Sequence, residues 1–249
     1  MLRALLFPPA CAACGELLSY DSEAVLCTVC RGKWEEEKRR VCPACRKLLS
    51  ECRCPVPGET GLSCISLAFY DPCAERGVSP VKEMLLSVKE TRLRETEAFL
   101  ADQLAQRIRS RPEWTKEDMV MTYVPRDPVK ARVTGTDQAK AIASALADRL
   151  GIPVYPILAR RHGRARAQKT LDAAGREKNA FSAYRLSERK ELREECRFRH
   201  VLLFDDIITS GATVSACAAL LSEAGAGDVT AVSVARTLRG GALRIQETE

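Results

Sequence analysis

The chain has 249 residues, enough for one full hydrophobic core and a small second module. Its 46% apolar and 29% charged residues are those of a soluble globular protein, and no apolar run approaches the roughly 18–20 residues of a membrane span. The formal net charge of +6 is uneven, because residues 1–60 carry a formal +1 while residues 158–200 carry thirteen Lys/Arg against six Asp/Glu. A solvated basic helix and a segment that meets a polyanion both fit that second stretch.

The opening Met1–Ala10 is apolar but is broken by Pro8-Pro9 and runs into cysteines, so it is read as no export signal and a cytoplasmic location is expected. Ten of the twelve cysteines lie within residues 11–73, and in a reducing compartment such density reads as metal binding before disulfides. Cys11-x-x-Cys14 and Cys27-x-x-Cys30 each offer two thiolates from one turn, and two such turns on adjacent hairpins close a tetrahedral zinc site. Gly15 permits the tight turn after the first pair. Cys42-Pro-Ala-Cys45 with Cys52-Arg-Cys54 forms a second set, its C-x-C half one residue short. Cys64 is a substitute ligand by position, but it falls in the alternating, strand-like Ser63–Tyr70. The alternative is a set of free thiols, or one zinc with a few spectators. So small a segment cannot fold on burial alone, and two structural zinc ions are expected to supply the difference. Each four-thiolate site carries a net −2, which takes the module to about −3 and argues against a simple electrostatic grip on nucleic acid.

Pro55–Gly61 reads as a linker, giving a zinc module over 1–60 and a core domain over 61–249. Ser79-Pro80 starts a helical pattern that runs to about Ser110, with a break near Thr91-Arg92. Met119–Val124 is a strand ending at Pro125-Arg126, Gln138–Leu150 an Ala-rich helix closed by Gly151, and Val154–Leu158 the next strand. The arginine-rich connection after it, Arg160–Asn179, is long enough to serve as a lid. With Val201–Phe204 and Val229–Val234, these units alternate strand and helix, so the fold class is α/β with a parallel sheet and helical crossovers. Cys217, on an apolar helix face, reads as core.

The most informative run is Val201–Thr213. An apolar strand ends in Asp205-Asp206, a loop of hydroxyl and small residues follows, and an apolar helix, Val214–Leu221, begins. Ligands in open α/β sheets bind at the carboxyl ends of strands. A loop opening a helix presents backbone N–H groups to a phosphate, while adjacent carboxylates suit ribose hydroxyls or hydrated Mg²⁺. The competing reading is an acidic strand end followed by a Thr N-cap at Thr209 or Thr213.

The order Asp205-Asp206, Ile207, Ile208, then Thr209-Ser210-Gly211-Ala212-Thr213 resembles the phosphoribosyl-pyrophosphate (PRPP) motif of type I phosphoribosyltransferases. Over nearly the whole chain the parts resemble the ComF/GntX family, which carries an N-terminal double zinc-binding module. Leu158-Ala-Arg160, Gln168-Lys169-Thr-Leu171 and Arg176-Glu-Lys-Asn179 follow that family's pattern before the PRPP motif, and Gly135, Gln138 and Ala139 match a second one. Thr134, Thr136 and Asp137 depart from it, and an acidic Asp137 would oppose an anionic ligand.

The resemblance implies a type I phosphoribosyltransferase fold and, in naturally transformable bacteria, a link to uptake of single-stranded DNA. It implies a Mg²⁺-dependent PRPP site in which Asp205 and Asp206 hold the ribose and Thr209–Thr213 the 5′-phosphate. Arg126, Arg160, Gln168 and Lys169 are then candidates to steady pyrophosphate. It names no acceptor, and fold does not fix function. The other class of function is a non-enzymatic adaptor, whose zinc module meets a protein or single-stranded DNA while PRPP acts as effector. At 5% aromatic residues the chain has few stacking platforms for bases.

Overall fold

The computed structural model describes residues 9–19, 22–57, 61–71, 79–91, 94–111, 114–127, 137–161 and 182–237. In chain order the elements are α1 (Thr28–Lys38), β1 (Ser63–Phe69), α2 (Pro80–Thr91), α3 (Arg94–Arg109), β2 (Met119–Tyr123), α4 (Gln138–Leu150), β3 (Leu158–Arg160), β4 (Tyr184–Leu186), α5 (Lys190–Glu194), β5 (His200–Ile208), α6 (Ala212–Glu223) and β6 (Asp228–Arg236). Four strands form a parallel sheet in the order β1-β6-β5-β2, so the chain is an α/β protein with a helix-flanked parallel sheet.

Strand alternation sends side chains to two faces, and both are covered, which is why the central strands are apolar throughout. Leu202, Phe204, Val232 and Val234 pack with Leu100, Leu104, Ile142 and Leu146 on one face. Val201, Leu203 and Ala231 pack with Val214, Cys217 and Leu221 on the other. Each fully buried Val, Leu, Ile or Phe among them contributes about 1.5–3 kcal/mol. Trp34 of α1, 1% exposed, joins the first cluster with its ring 5.5 Å from Phe99, so the cysteine-rich segment rests on the sheet's own helical layer. Lys38 Nζ donates to Gln103 Oε1 of α3 at 2.9 Å.

Several boundaries differ from expectation. The strand expected over Val154–Leu158 is only a single parallel bridge from Val154 to Met121, after which Leu158–Arg160 turns away to pair antiparallel with β4. Pro153 and Pro156 explain this, since neither has an N–H to give a ladder. The Cys27 pair sits at the start of a helix rather than on a hairpin, with Cys27 as N-cap accepting from the Cys30 N–H. β5 continues through the acidic pair to Ile208, because β6 pairs with it that far. Asp137 caps α4, its carboxylate accepting from the Lys140 N–H at 3.2 Å, and Gly151 closes that helix at φ +69°. Aspartate suits an N-cap as well as asparagine does. No described helix is long and apolar enough to cross a membrane.

Candidate functional site

The connections define where a ligand fits. From β2 the chain crosses through α4 to Val154 on the outer side of β2. From β5 it crosses through α6 in the opposite direction, to β6. The strand order therefore reverses between β2 and β5, and the crevice at their carboxyl ends is the ligand position of an open α/β sheet. Val124 extends the pairing, donating to the Phe204 carbonyl at 2.9 Å, so Arg126-Asp127 leave the sheet beside Asp205-Asp206 of β5.

Asp205 and Asp206 are half-buried. Alternation places Asp205 on the face of Val201 and Leu203, and Asp206 on that of Leu202 and Phe204. The Asp205 carboxylate accepts from the Asp206 N–H (3.0 Å), and the Asp206 carboxylate from the Ile207 N–H (2.8 Å). Thr209 and Ser210 are exposed, and Gly211 is the N-cap of α6. The Ser215 N–H bonds the Gly211 carbonyl at 2.9 Å, so the N–H groups of residues 212–214 precede the helical ladder. Gly211 has φ +85°, and a Cβ there would overlap the Pro57 carbonyl oxygen and Val56 Cγ1. Both reasons demand glycine.

Arg160, on β3, lies with Nε 3.8 Å from Asp127 Oδ2 and Nη1 3.5 Å from the Tyr184 hydroxyl, its guanidinium 5.5 Å above the Tyr184 ring. The β3–β4 pair thus brings an arginine and a buried tyrosine to the same crevice. Burial, then the neighbouring Cys217 and Asp205, push the Tyr184 hydroxyl up to about 12, against the pull of Arg160 and a hydrogen bond with Thr213. Burial and then Asp205 raise the Cys217 thiol well above its ordinary value, which fits its reading as core. Tyr184 carried no sequence signal, because three-residue strands leave no periodicity. Gln168, Lys169, Leu171, Arg176 and Asn179 lie outside the described residues, as do residues 128–136.

The cysteines form the two expected sets, Cys11, Cys14, Cys27, Cys30 and Cys42, Cys45, Cys52, Cys54, with the sulfurs of each set within 4.8 Å of one another. A tetrahedral ion with Zn–S of about 2.3 Å needs sulfurs about 3.8 Å apart. The separations are 3.8 Å for Cys14–Cys27, 3.9 Å for Cys42–Cys54 and 3.6 Å for Cys45–Cys52, so both sets could bind zinc. Cys64 instead lies buried in β1 beside Ser66.

The second site is docked on the sheet. Arg236, at the end of β6 and 4% exposed, donates to Cys52 Sγ at 2.9 Å and to the Cys54 carbonyl at 3.3 Å. Arg111 donates to the Cys52 carbonyl at 3.3 Å. Burial opposes ionisation of Cys52, but the Cys54 N–H and the Arg236 charge bring its thiol down to about 7. At the first site burial of Cys11 is likewise outweighed, here by backbone N–H groups, and its thiol falls to about 7.

No protein-family model matches the chain, and no curated protein matches it in sequence. It is similar in part to solved structures. One is the glutamine PRPP amidotransferase of B. subtilis with ADP and GMP, at 23% identity over 55% of this chain and TM-score 0.36. The match spans 25% of that chain's length. Adenine phosphoribosyltransferase of Leishmania tarentolae matches 61% of this chain and 74% of its own at 15% identity, TM-score 0.37. A hypoxanthine phosphoribosyltransferase of Staphylococcus aureus matches 61% and 72% at 11% identity, TM-score 0.38.

Proposed function

We propose that the chain binds PRPP with Mg²⁺ at the β2–β5 crevice and is a phosphoribosyltransferase-like protein of the cytoplasm. One observation carries this: an acidic pair and a glycine-containing hydroxyl loop open a helix at the point where strand order reverses. Asp205 and Asp206 would take the ribose hydroxyls, directly or through Mg²⁺, and Thr209–Thr213 with the start of α6 the 5′-phosphate. Arg126 and Arg160 would steady pyrophosphate, with Tyr184 orienting Arg160.

As a transferase it would break the bond from ribose C1 to pyrophosphate and form one to a nitrogen nucleophile, with positive charge developing at the ribose. Bound Mg²⁺ would neutralise the departing pyrophosphate. The protein's part is positional and electrostatic.

The alternative is an adaptor with PRPP as effector, whose cysteine-rich segment would offer the exposed Leu17 (67%) and Val29 (65%) to a partner. The ComF/GntX resemblance points such an adaptor toward single-stranded DNA uptake. Calorimetry with PRPP and Mg²⁺ tests the shared core of both readings. Wild type is expected to bind with roughly 4–8 kcal/mol, and the Asp205→Asn/Asp206→Asn double variant to lose several kcal/mol. Equal affinity would remove the assigned role. Pyrophosphate release across a panel of free nucleobases separates enzyme from adaptor.

A further inference from the structure

The second cysteine site touches the hydroxyl loop at both of its ends. Cys54 is followed directly by Pro55-Val56-Pro57, a strap stiffened by two fixed proline φ angles. Pro55 bridges to Ser63, and the Val56 N–H donates to the Leu62 carbonyl at 2.8 Å. Val56 is wholly buried, and with the Pro57 carbonyl it lies against Gly211 so closely that no side chain fits there. At the other end Arg236 holds Cys52 and Cys54. The next residue, Thr237, donates its N–H to the Ile208 carbonyl (2.9 Å) and its hydroxyl to the Thr209 carbonyl (2.8 Å).

We infer that Val56, Pro57 and Arg236 are positioning residues through which the second cysteine site holds the loop Thr209–Gly211 in its ligand-binding shape. The inference deepens the reading of this loop as a phosphate cradle and rests on it. The physical reason is the placement of Gly211. It is the N-cap of α6, so any shift of the strap turns the first N–H groups of that helix. Four sulfurs drawn to one ion fix Cys52 and Cys54, and these fix the strap and the guanidinium of Arg236. The first cysteine site has a different attachment, through α1 and Trp34 to Phe99 on the helical layer.

The test compares full-length variants by zinc content and by hydrogen exchange at two amides that report the loop, Ser215 (bonded to Gly211) and Thr237 (bonded to Ile208). Cys54→Ser and Cys14→Ser are each expected to lose one zinc. Only Cys54→Ser should speed exchange at these amides, by about tenfold or more, with Leu202 and Leu203 unchanged. Val56→Ala should keep both zinc ions and speed the same amides by about threefold; it carries the test if Cys54→Ser fails to fold. Unchanged exchange in Val56→Ala and Cys54→Ser, or equal acceleration in Cys14→Ser, overturns the inference. PRPP calorimetry on wild type is read separately. Binding with an unmoved loop sinks the positioning role and leaves the function, whereas a loosened loop without PRPP binding does the reverse.

Discussion

At the first cysteine site the thiols meet backbone donors and the Glu16 carboxylate beside Cys27, whereas at the second they meet a buried guanidinium. Four thiolates around zinc leave a net −2, which is costly to bury without a counter-charge. Arg236 supplies that charge; burial alone would depress its ionisation, and the sulfurs of Cys64, Cys52 and Cys42 push it up instead. The second site can therefore lie against the carboxyl end of the sheet, while the first keeps Cys14 in water. The same ligand set meets two surroundings, one beside a helix and the other beside the loop Thr209–Gly211, and each set has two buried cysteines.

Metal removal should strain this comparison most. Structural zinc contributes about 10 kcal/mol or more per site at neutral pH. A chelator should strip the first site, whose Cys14 is exposed, before the second, followed by metal release against time, with loss of the second ion coinciding with the main unfolding transition. Release of both ions together would erase the distinction. Next in size is Arg236→Met, which leaves the second site's charge buried and unpaired. A loss of about 3–5 kcal/mol is expected in denaturant unfolding, with zinc retained at the first site.

Glycine replacement gives a smaller and more local contrast. Gly211→Ala meets both a positive φ and the strap, for about 1–3 kcal/mol. Gly151→Ala has the same backbone problem in open space, for about 1 kcal/mol. Only the former should weaken PRPP binding. The smallest effect is acid sensitivity of the core itself. Burial holds His200 below its usual value, against the raising pull of Asp228. Its contribution is complete above the ordinary histidine range near 6.5 and is lost as pH falls through the lowered value. His200→Gln should flatten that part of the acid curve, leaving the slope from thiolate protonation at the two metal sites.

What the sequence disclosed was local. Asp205–Thr213 is one strand-loop-helix, and each cysteine set spans few enough residues for spacing to be diagnostic. The helix break near Thr91 was legible from a shift in apolar spacing and the Gly151 stop from its cap, both of them local signals. Tyr184 beside Arg160, the strap on Gly211 and Arg236 under Cys52 were not legible. Each is a contact between residues far apart in the chain, and composition cannot say which of thirty-nine Lys/Arg will be buried. The Val154–Leu158 strand misled because Pro153 before it and Pro156 within it deny it a ladder.

The pairing of Cys52 with Arg236 also has a temporal side. The two are 184 residues apart, roughly 10–40 seconds of synthesis at usual elongation rates. Both cysteine clusters precede the described sheet in the chain and are complete enough to capture metal locally, yet the partner that neutralises the second arrives only with β6. β1 waits equally long, because its neighbour in the sheet is β6. A zinc ion taken up by the second set would therefore keep an unmatched anionic shell until β6 joins the sheet, and in that interval a chaperone or a competing chelator would have its best access.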